Sequence, residues 1–574
     1  MQISKSLKLI ETPVFTEVPF LEKLVLEDCL NLSKVHPSIA VLKKLTFLSL
    51  KGCNNLKSLP NKFEMESLET LIISGCSKIK KIPEFGENMQ CVLKLYLDGT
   101  AIKEMPSSTG LLKNLKVLSL NGCKGLSSFK STSWYDLLPF YSMSKSPHPV
   151  GLPSILGLCS LTQLNLRDCN LKEIPDDIGC LFSLSGIDLR ENSFVCLPDS
   201  IGGLCKLRTI DLENCRSLRT LPKLPLSIVT IVGYGCTSLE TIPDLLKPNS
   251  ICEAELYFSN CSKLAENQGV IDMFFTVIRK HLQVSLSLSP SLPLSRSSSV
   301  INNLLFMFQG LSLKDRYYHE KYDSSYHIVI PGSVIPNWFS HRSIGDEVKI
   351  KVETSSHLCD GWMGIAGCVV FSCLPHHHID EDDDEDDEDD EDDEYCDCNI
   401  TCWLIVNENE MNAIAGPRSM VGLSDHMWLF YFLPYYYVKE YIKLLRECEE
   451  NEFIQIGIKI KTDGPGMKVK KCGFRMVYKK DVEDVNQTVA QSSNTSHNFD
   501  NSMVVAEGNK AKQTRDYCDG AGPSGKGSSN EQSHSQRNER FVEFMAHGDS
   551  DCEYLECSEE LGDWQKYSES DLDG

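Results

Sequence analysis

A leucine repeat with a period of 23 or 24 residues dominates the first half of the sequence. Its pattern is Leu-x-x-Leu-x-Leu-x-x followed by Cys, Asn or Thr. The eight clear copies begin at Leu21, Leu45, Leu68, Val92, Leu115, Leu161, Leu184 and Leu207. A fixed period of this length is typical of a solenoid, in which each repeat buries its apolar edge by stacking on its neighbours. The pattern therefore predicts an α/β leucine-rich-repeat solenoid with the shape of a horseshoe.

The repeat region is predicted to span residues 1–265 and to hold about ten repeats, of which the last two, near Ile228 and Leu256, are degenerate. The segment Leu7–Phe15 resembles the back half of another repeat. Seven repeats carry an apolar residue followed by Pro on the return arm. Because proline has no N–H group and interrupts helices, we expect short turns and helical pieces on the convex side. An aromatic-rich insertion at residues 130–150 doubles one repeat step, and it is either a contact loop or a degraded repeat.

Alternation along the short strand of each repeat separates core residues from surface residues. Leu164 and Leu166 are predicted to face the core, whereas Asn165 and Arg167 are predicted to face the concave surface. A mixture of charged and aromatic side chains on that surface suits a protein partner. The candidate partner-binding residues are Lys51, Tyr96, Asp98, Asn165, Arg167, Asp188, Arg190, Asp211 and Glu213.

Cysteine usage points to a reducing compartment. The chain has 25 Cys, and eight of them recur at one position of the repeat. They are Cys29, Cys53, Cys76, Cys123, Cys169, Cys215, Cys236 and Cys261. At that position a thiol is a small buried group with a weak S–H donor. We expect reduced thiols and a cytoplasmic or nuclear location.

The sequence changes character after the repeats. Residues 266–316 are predicted to form a linker with short helices. Residues 317–482 hold seven or so short apolar runs separated by turns, which predict an all-β sandwich. The predicted strands are 327–330, 348–352, 364–371, 401–406, 427–433, 453–460 and 472–478. Residues 376–398 are predicted to be a disordered acidic insertion, and residues 483–574 a disordered acidic tail, because neither has enough apolar residues to form a core.

Charge and hydropathy argue against two classes of partner. The formal net charge is −23, and the uninterrupted acidic run at 380–394 supplies 15 of those negative charges. Phosphate binding requires clustered Lys and Arg on one face, so no nucleic-acid partner is expected. The sequence shows neither a secretory signal nor an apolar run of membrane-spanning length, and no membrane association is expected.

Two motifs resemble sites of chemistry. Gly520–Ser528 resembles a phosphate-binding loop, but Gly527 stands where the hydroxyl that holds magnesium is needed. Cys396, Cys398 and Cys402 near His376–His378 form no closed four-ligand zinc set. No Ser, His and Asp arrangement can be assembled from spacing. We therefore predict no catalytic residue, no metal and no cofactor, although a hydrolase built into the sandwich is the enzymatic alternative.

Two segments carry a family resemblance. The repeat Leu45–Pro60 is similar to the repeats of plant intracellular immune receptors of the TIR-NB-ARC-LRR disease resistance class. The segment Ile328–His341 resembles the motif of their post-repeat domain, which is called the C-terminal jelly-roll/Ig-like domain, and Val469–Tyr478 resembles its closing strand. The motif residues are Pro331, Gly332, Ile335, Pro336, Trp338 and Phe339.

The resemblance implies a non-catalytic recognition module of an immune receptor. Its expected partner is a pathogen effector or a guarded host protein, and its expected signalling modules are a TIR and an NB-ARC domain in cis or in trans. Motif residues such as Trp338 and Phe339 are expected to shape the sandwich core. The alternatives are a stand-alone truncated adaptor or decoy and an extracellular ligand-binding protein.

Overall fold

The computed structural model describes residues 1–128, 157–243, 254–264, 269–288, 325–353, 362–373, 399–418, 422–432, 453–463, 466–478 and 481. The predicted insertion at 130–150, the acidic insertion 376–398 and the whole of the predicted tail 483–574 lie outside these residues. The phosphate-loop lookalike Gly520–Ser528 lies outside them as well, as do Cys396 and Cys398 of the zinc hypothesis.

Ten short parallel strands, one per repeat, line the concave side. They are β1 (Lys23–Val25), β2 (Phe47–Ser49), β4 (Thr70–Ile72), β6 (Lys94–Tyr96), β7 (Val117–Ser119), β8 (Gln163–Asn165), β9 (Gly186–Asp188), β10 (Thr209–Asp211), β11 (Thr230–Val232) and β12 (Ala254–Tyr257). Each pairs in register with the next, so that Leu24 lies beside Leu48 and Leu48 beside Leu71. A bridge from Gln2 to Val25 adds part of one further coil. The predicted leucine-rich-repeat solenoid is confirmed.

A left-handed turn ends every repeat strand and directs the chain back toward the core. The residue in the turn is Gly in five repeats, for example Gly52 with a φ of 71°. In the other five it is Asp28, Asp168, Glu191, Asn214 or Asn260. Glycine adopts this conformation without strain, and Asn and Asp adopt it more readily than most residues. Backbone hydrogen bonds between repeats continue through the turn, as from Gly99 N to Asn121 O at 2.7 Å.

The convex side consists of short 3-10 helices and two-residue strands, as the prolines predicted. The helices on this side include Pro37–Val41, Ser107–Leu111, Asp176–Cys180 and Asp199–Gly203. Pro106, Pro175 and Pro198 each precede the first turn of one of them. The strands β3 (Lys62–Phe63) and β5 (Glu84–Phe85) pair with each other.

The repeated cysteines form a buried column that joins each repeat to the one before it. All eight are buried free thiols. Each Sγ atom donates to a backbone oxygen of the preceding coil at 3.0 to 3.5 Å, as Cys76 does to Leu50 O. Asn192 occupies the same position in one repeat and donates to the equivalent oxygen of the preceding coil, Leu166 O at 2.8 Å. Thr100 occupies it in another repeat and donates to Leu97 O of its own coil at 2.8 Å. These hydrogen bonds satisfy carbonyl groups that would otherwise be buried without a partner.

The segment predicted as a linker with short helices contains one 20-residue helix, α1 (Gly269–Leu288). Phe274, Phe275 and Ile278 are buried on the face that packs against the rest of the chain. The helix is therefore part of the folded core and not a spacer. Among the described residues, no helix has both the length and the apolar character that crossing a bilayer requires.

In the described part of the chain after the helix there are nine strands. They are β13 (Ser325–Pro331), β14 (His341–Ile344), β15 (Glu347–Glu353), β16 (Trp362–Cys373), β17 (Asn399–Val406), β18 (Asn409–Arg418), β19 (Gly422–Phe432), β20 (Phe453–Asp463) and β21 (Met467–Tyr478). All seven predicted strands are present, and β14 and β18 are additional. Strands β15, β20, β17 and β18 form one sheet of the sandwich.

The other sheet of the sandwich is a continuation of the repeat sheet. Strand β13 pairs in parallel with β12 of the last repeat, and β19, β16, β21 and β14 follow it in antiparallel order. The result is one sheet of 15 strands. Side chains on one face of its sandwich part, such as Ile328 and Leu429, join the repeat core, whereas Val329 and Trp428 on the other face pack against the second sheet. The sequence predicted two neighbouring domains, and this shared sheet was not foreseen.

Candidate protein-binding surface and the motif domain

The predicted partner-binding residues all lie on the concave side, but they differ in exposure. Lys51 is exposed, and Tyr96, Asp98, Arg167 and Glu213 are half-buried. Asn165 and Asp188 are 8% and 2% exposed, because neighbouring side chains cover them. The expectation that Asn165 is a surface residue is wrong in this respect: its Oδ1 accepts a hydrogen bond from Arg167 N at 2.9 Å.

Arg190 is the centre of a carboxylate cluster in repeats seven and eight. Its guanidinium donates to both carboxylate oxygens of Asp188, with Nε 3.1 Å from Oδ1 and Nη2 2.8 Å from Oδ2. Asp211 lies 3.4 Å from Nε and Glu213 lies 3.8 Å from Nη1. Burial raises the pKa of Asp211, and Arg190 opposes this shift. Three carboxylates around one guanidinium leave the cluster with an excess of negative charge.

A shallow groove of about 440 Å³ lies at the turns that follow the strands. Its lining includes the turn residues Gly75, Gly99 and Gly122, which have no side chains, and Asp98 and Asn121 beside them. One wall is formed by Arg167, Asp168 and Glu191. These wall residues are tied together by ion pairs, Arg167 with Glu191 at 2.5 Å and Asp168 with Lys124 at 2.8 Å.

The first repeats give the concave side an apolar and aromatic area. Phe47, Ile72 and Tyr96 lie in neighbouring strands and are half-buried. The ammonium group of Lys23 lies 5.1 Å from the centre of the Phe47 ring. Rigid aromatic side chains in such a position contribute much of the binding energy at protein interfaces. Among the candidates named from sequence, Tyr96 belongs to this area.

The motif residues form the packing surface for helix α1. Trp338 is 7% exposed and Phe339 is fully buried. The Trp338 ring meets Phe275 edge to face at 5.1 Å, and Phe339 stacks on Phe274 at 6.5 Å. Pro331 and Ile335 are buried as well, while Gly332 and Pro336 are half-buried in the connection to β14. The expectation that these residues shape the core agrees with this geometry.

Arg475, in β21, contacts the motif residue Trp338. Its guanidinium carbon lies 4.7 Å from the centre of the Trp338 ring, and its Nη1 donates to Trp338 O at 3.2 Å. Its Nη2 pairs with buried Asp481 at 3.1 Å. The closing strand and the motif therefore depend on each other, although they are more than 130 residues apart.

Two histidines lie at the junction between the repeats and the sandwich. His426 Nε2 accepts a hydrogen bond from Asn260 N of the last repeat at 3.0 Å. His327 is 2% exposed, stacks on Trp428 and accepts from Trp428 Nε1 at 3.0 Å through Nδ1. Burial lowers the pKa of both histidines, that of His327 to about 3. Both acceptor nitrogens must be unprotonated for these hydrogen bonds to form.

Two protein families match this sequence, one in each part of the fold. The C-JID domain matches residues 330–483, and the Leucine Rich Repeat matches residues 160–181. The relatives are plant disease resistance proteins. One is the disease resistance protein RPP2B of Arabidopsis thaliana, which is 32% identical over 385 residues, covering 66% of this chain and 28% of the relative. The chain is related to plant disease resistance proteins.

Two further relatives agree. The disease resistance-like protein DSC1 of Arabidopsis thaliana is 29% identical over 61% of this chain and 25% of its own length. The TMV resistance protein N of Nicotiana glutinosa is 28% identical over 64% of this chain and 34% of its own length. The chain thus spans about a third or less of the length of these relatives.

Solved structures also include leucine-rich repeats with similarity to this chain. The repeat domain of the type III effector XopL is 21% identical, covers 35% of this chain and 64% of its own, and has a TM-score of 0.26. The functional domain of InlJ from Listeria monocytogenes is 15% identical, covers 44% and 56%, and has the same TM-score. These scores are too low to bear on function, and the fold rests on the hydrogen-bonded ladder of this chain.

The C-JID domain meets the repeats through residues that sequence reasoning did not single out. Asn260, Phe258 and His426 make the junction, with Phe258 N donating to Val329 O at 2.8 Å. Helix α1 joins the C-JID motif to the repeat core. One signal was present in the sequence: the helix-like apolar spacing at 271–284, which precedes the C-JID domain and includes Phe274 and Phe275.

Proposed function

We propose that this chain is the recognition module of an intracellular plant immune receptor. The module binds a pathogen effector or a guarded host protein through the concave face of the repeats together with the C-JID domain. Binding then triggers defence signalling through TIR and NB-ARC modules in cis or in trans. The role is one of binding and not of catalysis, and the location is the cytoplasm or the nucleus.

One observation carries this proposal: the concave sheet runs without interruption into the C-JID domain. A partner on the concave face therefore lies on the same rigid sheet that supports the C-JID loops. Specificity commonly resides in surface residues and loops that a rigid scaffold positions. The relatives named for disease resistance support the immune context.

Proximity labelling in infected plant tissue tests the proposal. The chain is fused to a biotin ligase and compared with a variant that carries Lys51→Ala and Tyr96→Ala on the concave face. We expect at least one pathogen or host protein to be labelled by the native chain and lost from the variant, since both side chains are accessible there.

Lys103→Ala is the matched control, because Lys103 is exposed and lies outside the concave strands. The control is expected to label the same proteins as the native chain. The proposal is rejected when the concave variant and the control label identical sets.

A further inference from the structure

The concave face carries its charges unevenly. On the side where the repeat strands end, three positions per repeat face solvent or the concave side: the last strand residue, the residue two positions later and the turn residue. Over ten repeats these positions hold eight carboxylates and three basic side chains. The carboxylates are those of Glu27, Asp28, Asp98, Asp168, Asp188, Glu191, Asp211 and Glu213. We call these three columns of residues the acidic rim.

The opposite rim, where the strands begin, has no such excess. Among the described residues at the first strand position and the one before it, four side chains are basic and two are carboxylates. The basic residues are Lys23, Lys94, Lys116 and Arg208. The concave face is therefore polarised across the strands, and a charged partner meets it in one favoured orientation.

Internal ion pairs neutralise much of the acidic rim but leave Asp98 without a cation. Arg167 pairs with Glu191, Lys124 with Asp168, and Arg190 with its own cluster. Asp98 accepts hydrogen bonds from Ser74 Oγ and Asn121 N, both at 2.9 Å, and from Ser119 Oγ. Among the described residues, no ion pair is formed by Asp98. These neutral donors hold its carboxylate in place at the edge of the groove.

The groove is open, and three of its lining residues are glycines. Gly75, Gly99 and Gly122 leave its floor flat, and the ion-paired wall of Arg167, Asp168 and Glu191 closes one side. The flexible stem of a Lys or Arg packs on such a surface while its charged group reaches a carboxylate.

We propose that the acidic rim binds a basic surface of the protein partner, with one Lys or Arg side chain of that partner in the glycine-floored groove beside Asp98. This inference rests on the proposed function, because it assigns the chemistry of the partner on the concave face. Electrostatic complementarity of this kind sets orientation and association rate more than total affinity. An acidic rim also disfavours nucleic acid as the occupant.

Hydrogen exchange of the full chain with two synthetic peptides tests the inference. One probe is the peptide (Lys-Gly-Gly)4, and the matched probe is (Gln-Gly-Gly)4. We expect the Lys peptide to slow exchange at the turns containing Gly75, Gly99 and Gly122, and the Gln peptide to have no effect there. The readout is local, so binding of the Lys peptide to the acidic run at 380–394 does not contribute to it.

Asp98→Asn keeps the size of the side chain and removes its charge. We expect it to weaken the protection about two- to fivefold, the range of an exposed ion pair, and we expect high salt to weaken it as well. Glu69→Gln, an equal change of charge on the opposite rim, should leave it unchanged. Protection that is absent, or that Asp98→Asn does not alter, overturns the inference.

The two proposals fail separately. If proximity labelling finds no partner but the turns are protected, the proposed function is rejected. The proposal that the groove binds a basic side chain then stands. Labelled partners together with unprotected turns would reject the proposal that the groove binds a basic side chain, and the proposed function would stand.

Discussion

At the scale of single residues, strict alternation in the repeat strands determines what each side chain does. Leu164 and Leu166 are fully buried, and Arg167 next to them pairs with Glu191 on the concave side. This part of the fold follows from the sequence because alternation depends only on the backbone. The burial of Asn165 and Asp188 could not be predicted from the sequence, because it depends on which side chains of the neighbouring repeats cover them.

A pair of adjacent substitutions tests the assignment of inward and outward positions. Leu166→Asp places an unpaired carboxylate in the core, and we expect it to lower the free energy of unfolding by more than about 4 kcal/mol. Arg167→Ala removes one half-exposed ion pair and should cost less than about 1 kcal/mol. Urea denaturation measures both values, and equal losses would show that the assignment is wrong.

The cysteine column predicts which thiols react in the native protein. Burial raises the pKa of Cys76 to about 12 and that of Cys123 to about 11, so that almost no thiolate forms at pH 8. The exposed thiols Cys91, Cys159 and Cys205 are expected to be alkylated first by iodoacetamide. Peptide mass spectrometry measures this order. Similar labelling rates for column and exposed thiols would contradict the burial of the column.

At the scale of elements, helix α1 lies in the connection between the last repeat strand, β12, and the first sandwich strand, β13. Its Phe274 and Phe275 close the repeat core, and the aromatic residues of the C-JID motif pack on their other side. The motif was recognisable in the sequence, but its contact with the helix was not. Periodicity shows that a helix has an apolar face and does not show which element covers it.

Truncation of Phe275 measures what this contact contributes. Because Phe275 is 1% exposed, Phe275→Ala should lower the free energy of unfolding by about 3–5 kcal/mol. Ile344→Ala is the control, since Ile344 is 90% exposed, and we expect it to change stability by less than about 0.5 kcal/mol. A small effect of Phe275→Ala in denaturation would mean that the helix is not part of the core.

The buried His327 predicts a pH dependence of stability. Its folded pKa of about 3 lies below the unfolded value of about 6.5. The unfolded chain therefore binds this proton more readily, and stability is lost as the pH falls from about 6.5 toward 3, by about 1.4 kcal/mol per pH unit. His327→Gln removes the titrating group. The difference in unfolding free energy between the native chain and the variant should change with this slope, and a constant difference would contradict the prediction.

At the scale of the whole molecule, the sequence predicted two parts and the structure joins them. The period of the repeats and the apolar runs of the sandwich are local patterns, so the number and type of strands could be derived from them. The pairing of β12 with β13 places Leu256 beside Ile328. The length of the segment between these two strands does not predict that they pair. Likewise, the hydrogen bond from Asn260 to His426 spans 166 residues, and no local pattern predicts it.

The repeats and the C-JID domain share one sheet, and we expect them to unfold as one cooperative unit. Buried cysteines report on both parts: Cys76 and Cys123 lie in the repeats, and Cys368 and Cys472 lie in the sandwich. Pulsed thiol labelling across a urea titration, read by peptide mass spectrometry, gives an unfolding midpoint for each cysteine. A shared sheet predicts one midpoint for all four thiols. Two separate midpoints, one for the repeats and one for the sandwich, would contradict it.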